Sequence, residues 1–92
     1  MTATPAQVAN DLAAQGRFWD RRDDHVARAC RDCARLIRAR LAGEQIDGRT
    51  YFGLLRRLLD LETTWRGRNE AIGNSLTRGR LTLEALNWER RG

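Results

Sequence analysis

A periodic pattern of apolar residues between Phe18 and Leu41 constrains the fold of this chain more than any other feature. Its members recur at helical intervals of three, four and seven residues: Trp19, Val26, Cys30, Cys33, Ile37 and Leu41. This spacing is typical of one face of an amphipathic α-helix. No proline interrupts the segment, because the only proline of the chain is Pro5. The pattern predicts one long central helix over residues 18–41.

A shorter helix is predicted before this segment. Thr4 precedes Pro5, and Gln7 follows the threonine by three residues, which is typical of a capped helix start. The first helix is therefore expected to begin at Pro5, with Gly16 as the natural place for it to stop or bend. Leu12 precedes Trp19 by seven residues, which leaves open a nearly continuous first and second helix.

Two more helices are predicted after the central one. Gly43 is the expected end of the central helix, and Thr50 is the expected cap of a helix over residues 50–66 that packs antiparallel to it. Asn69 is the expected cap of a fourth helix that continues to Trp88. For residues 75–83 a small hairpin is the alternative, because β-branched threonines lie among leucines there.

The third helix is apolar over much of its circumference. Tyr51, Leu54, Leu58, Leu61 and Trp65 fall on one face, and Phe52, Leu55 and Leu59 fall on an adjoining face. Such a helix needs cover on both sides, from the rest of the fold or from a second copy of the chain. The predicted fold is all-α: one domain over residues 1–92, a three- to four-helix bundle with a long central helix, complete alone or as a homodimer.

Composition favours a soluble cytoplasmic protein without a membrane partner. Apolar residues make up 41% of the 92 residues and charged residues 32%, and no long apolar run is present. The two cysteines lie three residues apart and cannot form a disulfide framework, which suits a reducing compartment. All 17 basic residues are arginines, and with 12 acidic residues they leave a net charge of +5, which makes an anionic partner worth considering.

No set of residues predicts catalysis or a bound cofactor. Cys30 and Cys33 form a C-x-x-C within the predicted helix and on its apolar face, so they are expected to be small buried residues rather than a redox pair. The only histidine, His25, would point about 140° away from Cys30 on the same helix, which predicts a solvent-facing residue and no metal site. Asp23 and Asp24 project in different directions and are interpreted as surface charges.

The candidate partner-binding residues are four arginines of the central segment and one tryptophan. Residues 17–40 hold eight arginines and four aspartates, and Arg28, Arg31, Arg35 and Arg38 form a stripe opposite the apolar face. Such a stripe could contact phosphates or an acidic protein surface. The alternative is a salt ladder, because Asp24, Arg28, Asp32 and Arg35 lie four, four and three residues apart. Trp88 is the tryptophan expected to be partly exposed and available for protein contact.

The segment from Leu36 to Leu59, a helix, an acidic turn and a second helix, resembles helical hairpins of small phage and mobile-element proteins. The resemblance implies a phage-type accessory or inhibitor protein and assigns no individual residue. The favoured function is accordingly a non-enzymatic binding protein that docks on a protein or nucleoprotein target through its arginine-rich face. The alternative is a dimeric DNA-binding protein in which the same arginines contact phosphates.

Overall fold

Four α-helices make up most of this computed structural model, which describes residues 3–89, with side chains through residue 87. They are α1 (Pro5–Trp19), α2 (Asp24–Leu41), α3 (Gly48–Trp65) and α4 (Glu70–Glu89). No strand occurs in the described part of the chain. The prediction of an all-α helical bundle is confirmed, and the hairpin alternative for residues 75–83 is wrong, because these residues belong to α4.

The first helix begins as predicted and ends later than predicted. The Thr4 hydroxyl accepts a hydrogen bond from the Gln7 backbone N–H, and the Gln7 side chain accepts one from the Thr4 N–H. The helix continues through Gly16 to Trp19, and Gly16 packs closely on α2. A Cβ atom at this position would lie 2.7 Å from Cγ of Arg31.

The prediction of one helix over residues 18–41 is wrong, because residues 20–23 separate α1 from α2. The backbone N–H groups of Arg22 and Asp23 both donate to the Trp19 carbonyl, which closes a tight turn at the end of α1. The Asp23 side chain then accepts hydrogen bonds from the N–H groups of His25 and Val26 and caps a new helix. Asp23 is therefore a capping residue and not only a surface charge. At 18 residues, α2 is no longer than α3 and shorter than α4.

The ends of the remaining helices follow turn chemistry. Gly43 and Gly67 have φ angles of 83° and 81°, and they end α2 and α3 as predicted. The cap of α3 is Asp47 instead of Thr50, because the Asp47 carboxylate accepts from the Thr50 N–H at 3.2 Å. Asn69 Oδ1 accepts from the Ile72 N–H at 3.1 Å, as expected for the cap of α4.

One apolar core joins the four helices. The largest side chains that lie completely inside it come from every helix: Leu12, Val26, Cys30, Cys33, Ile37, Leu58, Ile72, Leu76 and Leu83. The most extensive contacts join α1 with α2 and α3 with α4. The predicted pairing of residues 50–66 with the central segment is therefore secondary, since α3 packs mainly on α4.

The α4 helix crosses α1 and α2 at Gly79. A Cβ atom built there would lie 2.8 Å from Cys33 Sγ and 2.8 Å from a Leu12 methyl carbon. Real Cβ atoms do not approach other atoms so closely, so any other residue at this position would force Leu12 and Cys33 to shift. This close approach brings the α4 backbone directly against the core.

Candidate partner-binding surface

Two of the four predicted arginines form the expected salt ladder on the exposed side of α2. Arg28 Nε lies 3.0 Å from Asp24 Oδ2, and Arg35 Nη2 lies 3.3 Å from Asp32 Oδ1. Both pairs are spaced by one helical turn, so the residues face each other along the helix. The prediction of local pairing is confirmed at these positions.

The other two arginines reach partners on or next to α1. Arg31 Nη1 lies 2.8 Å from Asp20 Oδ1, and this hydrogen bond raises the pKa of the Arg31 guanidinium above its ordinary value. Arg38 Nη2 donates to Asn10 Oδ1 at 2.9 Å. Both contacts depend on the packing of α1 against α2.

A fifth arginine joins the stripe from α3. Arg57 Nη1 lies 3.0 Å from Asp32 Oδ2, so one carboxylate is shared by Arg35 and Arg57. We call the combined set the arginine surface: Arg28, Arg31, Arg35, Arg38 and Arg57, with Asp20, Asp24 and Asp32. Five arginines and three aspartates leave this surface with an excess of two positive charges.

The ion pairs of the arginine surface are exposed and exchangeable. Every side chain in them is at least 33% exposed, and Arg35 is 73% exposed. Exposed pairs of this kind contribute about 0 to 1 kcal/mol, because water competes for both partners. A docking partner that offers its own carboxylates or hydrogen-bond acceptors can therefore replace them.

A groove of about 400 Å³ opens between α2 and α3 within the arginine surface. His25, Arg28, Asp32, Arg57, Asp60 and Leu61 line it. His25 is exposed, as predicted. Within the described residues, no group of three His, Cys, Asp or Glu side chains is arranged to hold a metal ion. The groove offers both signs of charge and an apolar side chain, which is suited to contact with another protein.

The side chain of Trp88, the fifth predicted partner-binding residue, lies outside the described residues. An exposed apolar patch lies instead on the adjoining face of α3, where Phe52 is 65% and Leu59 is 48% exposed. Leu55 of the same face is half-buried against the core. Within one chain this face has incomplete cover, and the homodimer remains a prediction.

The two thiols of the C-x-x-C segment are buried, as predicted. Cys30 and Cys33 are both 0% exposed and unpaired, and they pack in the core that joins α2 to α1 and α4. Burial is the main factor that raises the pKa of each thiol from 9.0 to about 12. A thiol that stays protonated is a poor nucleophile and a poor metal ligand.

The raised thiol pKa values predict a loss of stability in alkaline solution. Between pH 9 and pH 12 the folded chain keeps protons that the unfolded chain releases, so unfolding is favoured as the pH rises above 9. At pH 10 we expect the free energy of unfolding to fall by about 1 kcal/mol for each thiol. Urea unfolding at several pH values measures this decline. The double variant Cys30→Ala, Cys33→Ala should show a shallower decline, and an equal decline in both proteins would contradict it.

None of the described helices is long and apolar enough to cross a membrane. Comparison with protein-family models, with curated proteins and with solved structures found no match to this chain.

Proposed function

We propose that this chain is a non-enzymatic binding protein that docks on a protein or nucleoprotein target through the arginine surface. In this proposal it is a small cytoplasmic accessory or inhibitor protein of the kind that phages and mobile elements encode. Arg28, Arg31, Arg35 and Arg38 provide most of the contact, and Trp88 extends it.

The observation that carries the proposal is the alternation of charges on the arginine surface. Asp24 lies one helical turn before Arg28, Asp32 lies between Arg31 and Arg35, and Asp20 lies beside Arg31. A phosphate backbone laid on this surface would meet these carboxylates and be repelled by them. A protein partner can match both signs, with carboxylates against the arginines and basic or hydrogen-bonding groups against the aspartates.

The alternative is a dimeric DNA-binding protein, and one observation favours it. The exposed face around Phe52 and Leu59 on α3 provides an apolar patch for a second copy. A dimer would double the positive excess of the arginine surface and increase its attraction for phosphates. A stable dimer normally buries about 800 Å² on each partner, however, and two exposed side chains provide only part of that area.

Reversing two charges of the arginine surface tests the proposal. The double variant Arg31→Glu, Arg38→Glu should lose partners that the wild-type chain retains in affinity capture from a host extract, with binding weakened at least about tenfold. The matched control is Arg49→Glu, Arg78→Glu, which makes the same change in net charge at exposed positions outside the arginine surface. If both variants retain the wild-type partners, the arginine surface is not the contact. Circular dichroism checks that both variants remain helical.

A further inference from the structure

A second concave surface lies between the C-terminal half of α1 and the first turn of α4. This groove has a volume of about 420 Å³ and shares no lining residue with the arginine surface. Its polar lining residues are Gln15 and Asn69. Five apolar side chains complete the lining: Ala14, Phe18, Trp19, Ala71 and Ile72. We call it the α1–α4 groove. Its volume is within the range of pockets that bind small ligands.

The floor and wall of the α1–α4 groove are preformed. Trp19 and Ile72 are buried at 7% and 1% exposure and form its floor, whereas Phe18 is 53% exposed and forms a wall. The Phe18 and Trp19 rings meet edge to face at 5.7 Å, and Trp19 meets Trp65 in the same way at 5.0 Å. These ring contacts hold the aromatic side chains in place before any partner arrives.

An arginine lies on the Phe18 wall of the groove. The Arg22 guanidinium lies over the Phe18 ring, 4.1 Å from its centroid, and donates to the Phe18 carbonyl at 2.6 Å. Arg22 has no carboxylate partner among the described residues, and Arg68 directly precedes Asn69 in the chain. No acidic side chain lines the groove, since Glu70 lines a different cleft, with Glu62 and Arg66.

We propose that the α1–α4 groove binds an acidic peptide segment of a partner protein. An apolar side chain of the peptide enters the groove and packs on Trp19 and Ile72, and a neighbouring carboxylate pairs with Arg22. The chain's own C-terminal segment is a poor occupant, because Arg90 and Arg91 would bring like charges to Arg22. This docking site is independent of the proposed function of the arginine surface, with which it shares no residue.

A synthetic peptide tests the proposal. The probe is a fluorescein-labelled peptide in which a pair of leucines lies among glutamates, titrated with the full chain and followed by fluorescence anisotropy. We expect saturable binding that is lost when the leucines are replaced by alanine or the glutamates by glutamine. Ala71→Leu, which fills the groove, and Arg22→Glu, which reverses the charge on its Phe18 wall, should each weaken binding about tenfold.

Matched variants make the result specific. Ala85→Leu adds the same side chain at an exposed position near the other end of α4, and Arg78→Glu makes the same charge change on α4 outside the groove. Both should bind the peptide as the wild type does.

Absence of saturable binding, or binding that Ala71→Leu leaves unchanged, would overturn the proposal. Displacement of the peptide by random-sequence duplex DNA but not by excess unlabelled peptide would also overturn it, because the groove would then select nucleic acid. Loss of peptide binding in Arg31→Glu, Arg38→Glu would instead place the peptide on the arginine surface and overturn it.

Discussion

Substitution of Gly79 by leucine is expected to destabilise the bundle by about 3 kcal/mol, the upper end of the usual cost of overpacking a core. The α4 backbone approaches α1 and α2 at this glycine, and even a single added carbon would lie 2.8 Å from both Leu12 and Cys33. Leu12 and Cys33 are completely buried, so they cannot move away without disturbing the rest of the core. Leucine is a good helix former, so helix propensity does not explain the loss.

Gly53 provides the matched control for this prediction. It lies on an exposed face of α3, with no other atom near an added Cβ, so Gly53→Leu removes the same residue type from a helix without a steric effect. We expect Gly53→Leu to stabilise the chain by up to about 1 kcal/mol through helix propensity. Urea unfolding measures the free energy of all variants. Equal stability of Gly79→Leu and the wild type would show that α4 does not cross the core at this position.

Removal of Arg80 is expected to destabilise the chain by about 3 to 5 kcal/mol. Arg80 Nε lies 2.7 Å from Glu62 Oε2, Arg80 Nη2 donates to Glu62 Oε1 at 3.2 Å, and Thr77 donates to the same oxygen at 2.7 Å. The Glu62 side chain is 4% exposed, so Arg80→Ala leaves a buried carboxyl group between α3 and α4 with only the Thr77 hydroxyl as partner. Arg80 also lies 3.1 Å from Glu84, which a variant would release to solvent.

An exposed pair of the same chemistry serves as the comparison. Arg28→Ala removes a partner of Asp24, but both side chains are more than half exposed, so we expect a loss below about 1 kcal/mol. The double variant Glu62→Met, Arg80→Met should lose less than the sum of the two single variants, because it leaves neither charge without its partner. Thermal unfolding of the wild type, the four single variants and the double variant provides the comparison. Similar losses for Arg80→Ala and Arg28→Ala would contradict a buried ion pair between α3 and α4.

The sequence predicts the helices better than their ends. Apolar spacing and glycine positions predict all four helices, because both signals are local along the chain. The apolar pattern also continues across residues 20–23 without interruption, since Trp19 and Val26 both enter the core from different helices. Periodicity therefore does not show the turn at residues 20–23. The signal that could have shown it is Asp23, a residue type that caps helices, which is interpreted from the sequence alone as a surface charge.

Contacts between helices explain which site residues the sequence could not identify. The local pairs of Arg28 and Arg35 follow from spacing on α2, but Arg57 joins them only through the packing of α3. Glu62 lies four residues after Leu58, at a core position of α3, and a buried acid was predictable there. Its partner Arg80 was not, because the register between α3 and α4 depends on the tertiary fold.

The preference of the arginine surface for protein over bare nucleic acid is tested most directly by fluorescence anisotropy of a labelled random-sequence DNA duplex at about 50 and about 200 mM salt. The aspartates of the arginine surface predict no saturable DNA binding at the higher salt. After allowance for net charge, they also predict equally weak DNA binding by three proteins: the wild type, the double variant Arg31→Glu, Arg38→Glu, and the control double variant Arg49→Glu, Arg78→Glu. Saturable binding that weakens steeply with salt, and that the Arg31→Glu, Arg38→Glu variant alone loses, would contradict this account and assign the arginine surface to DNA.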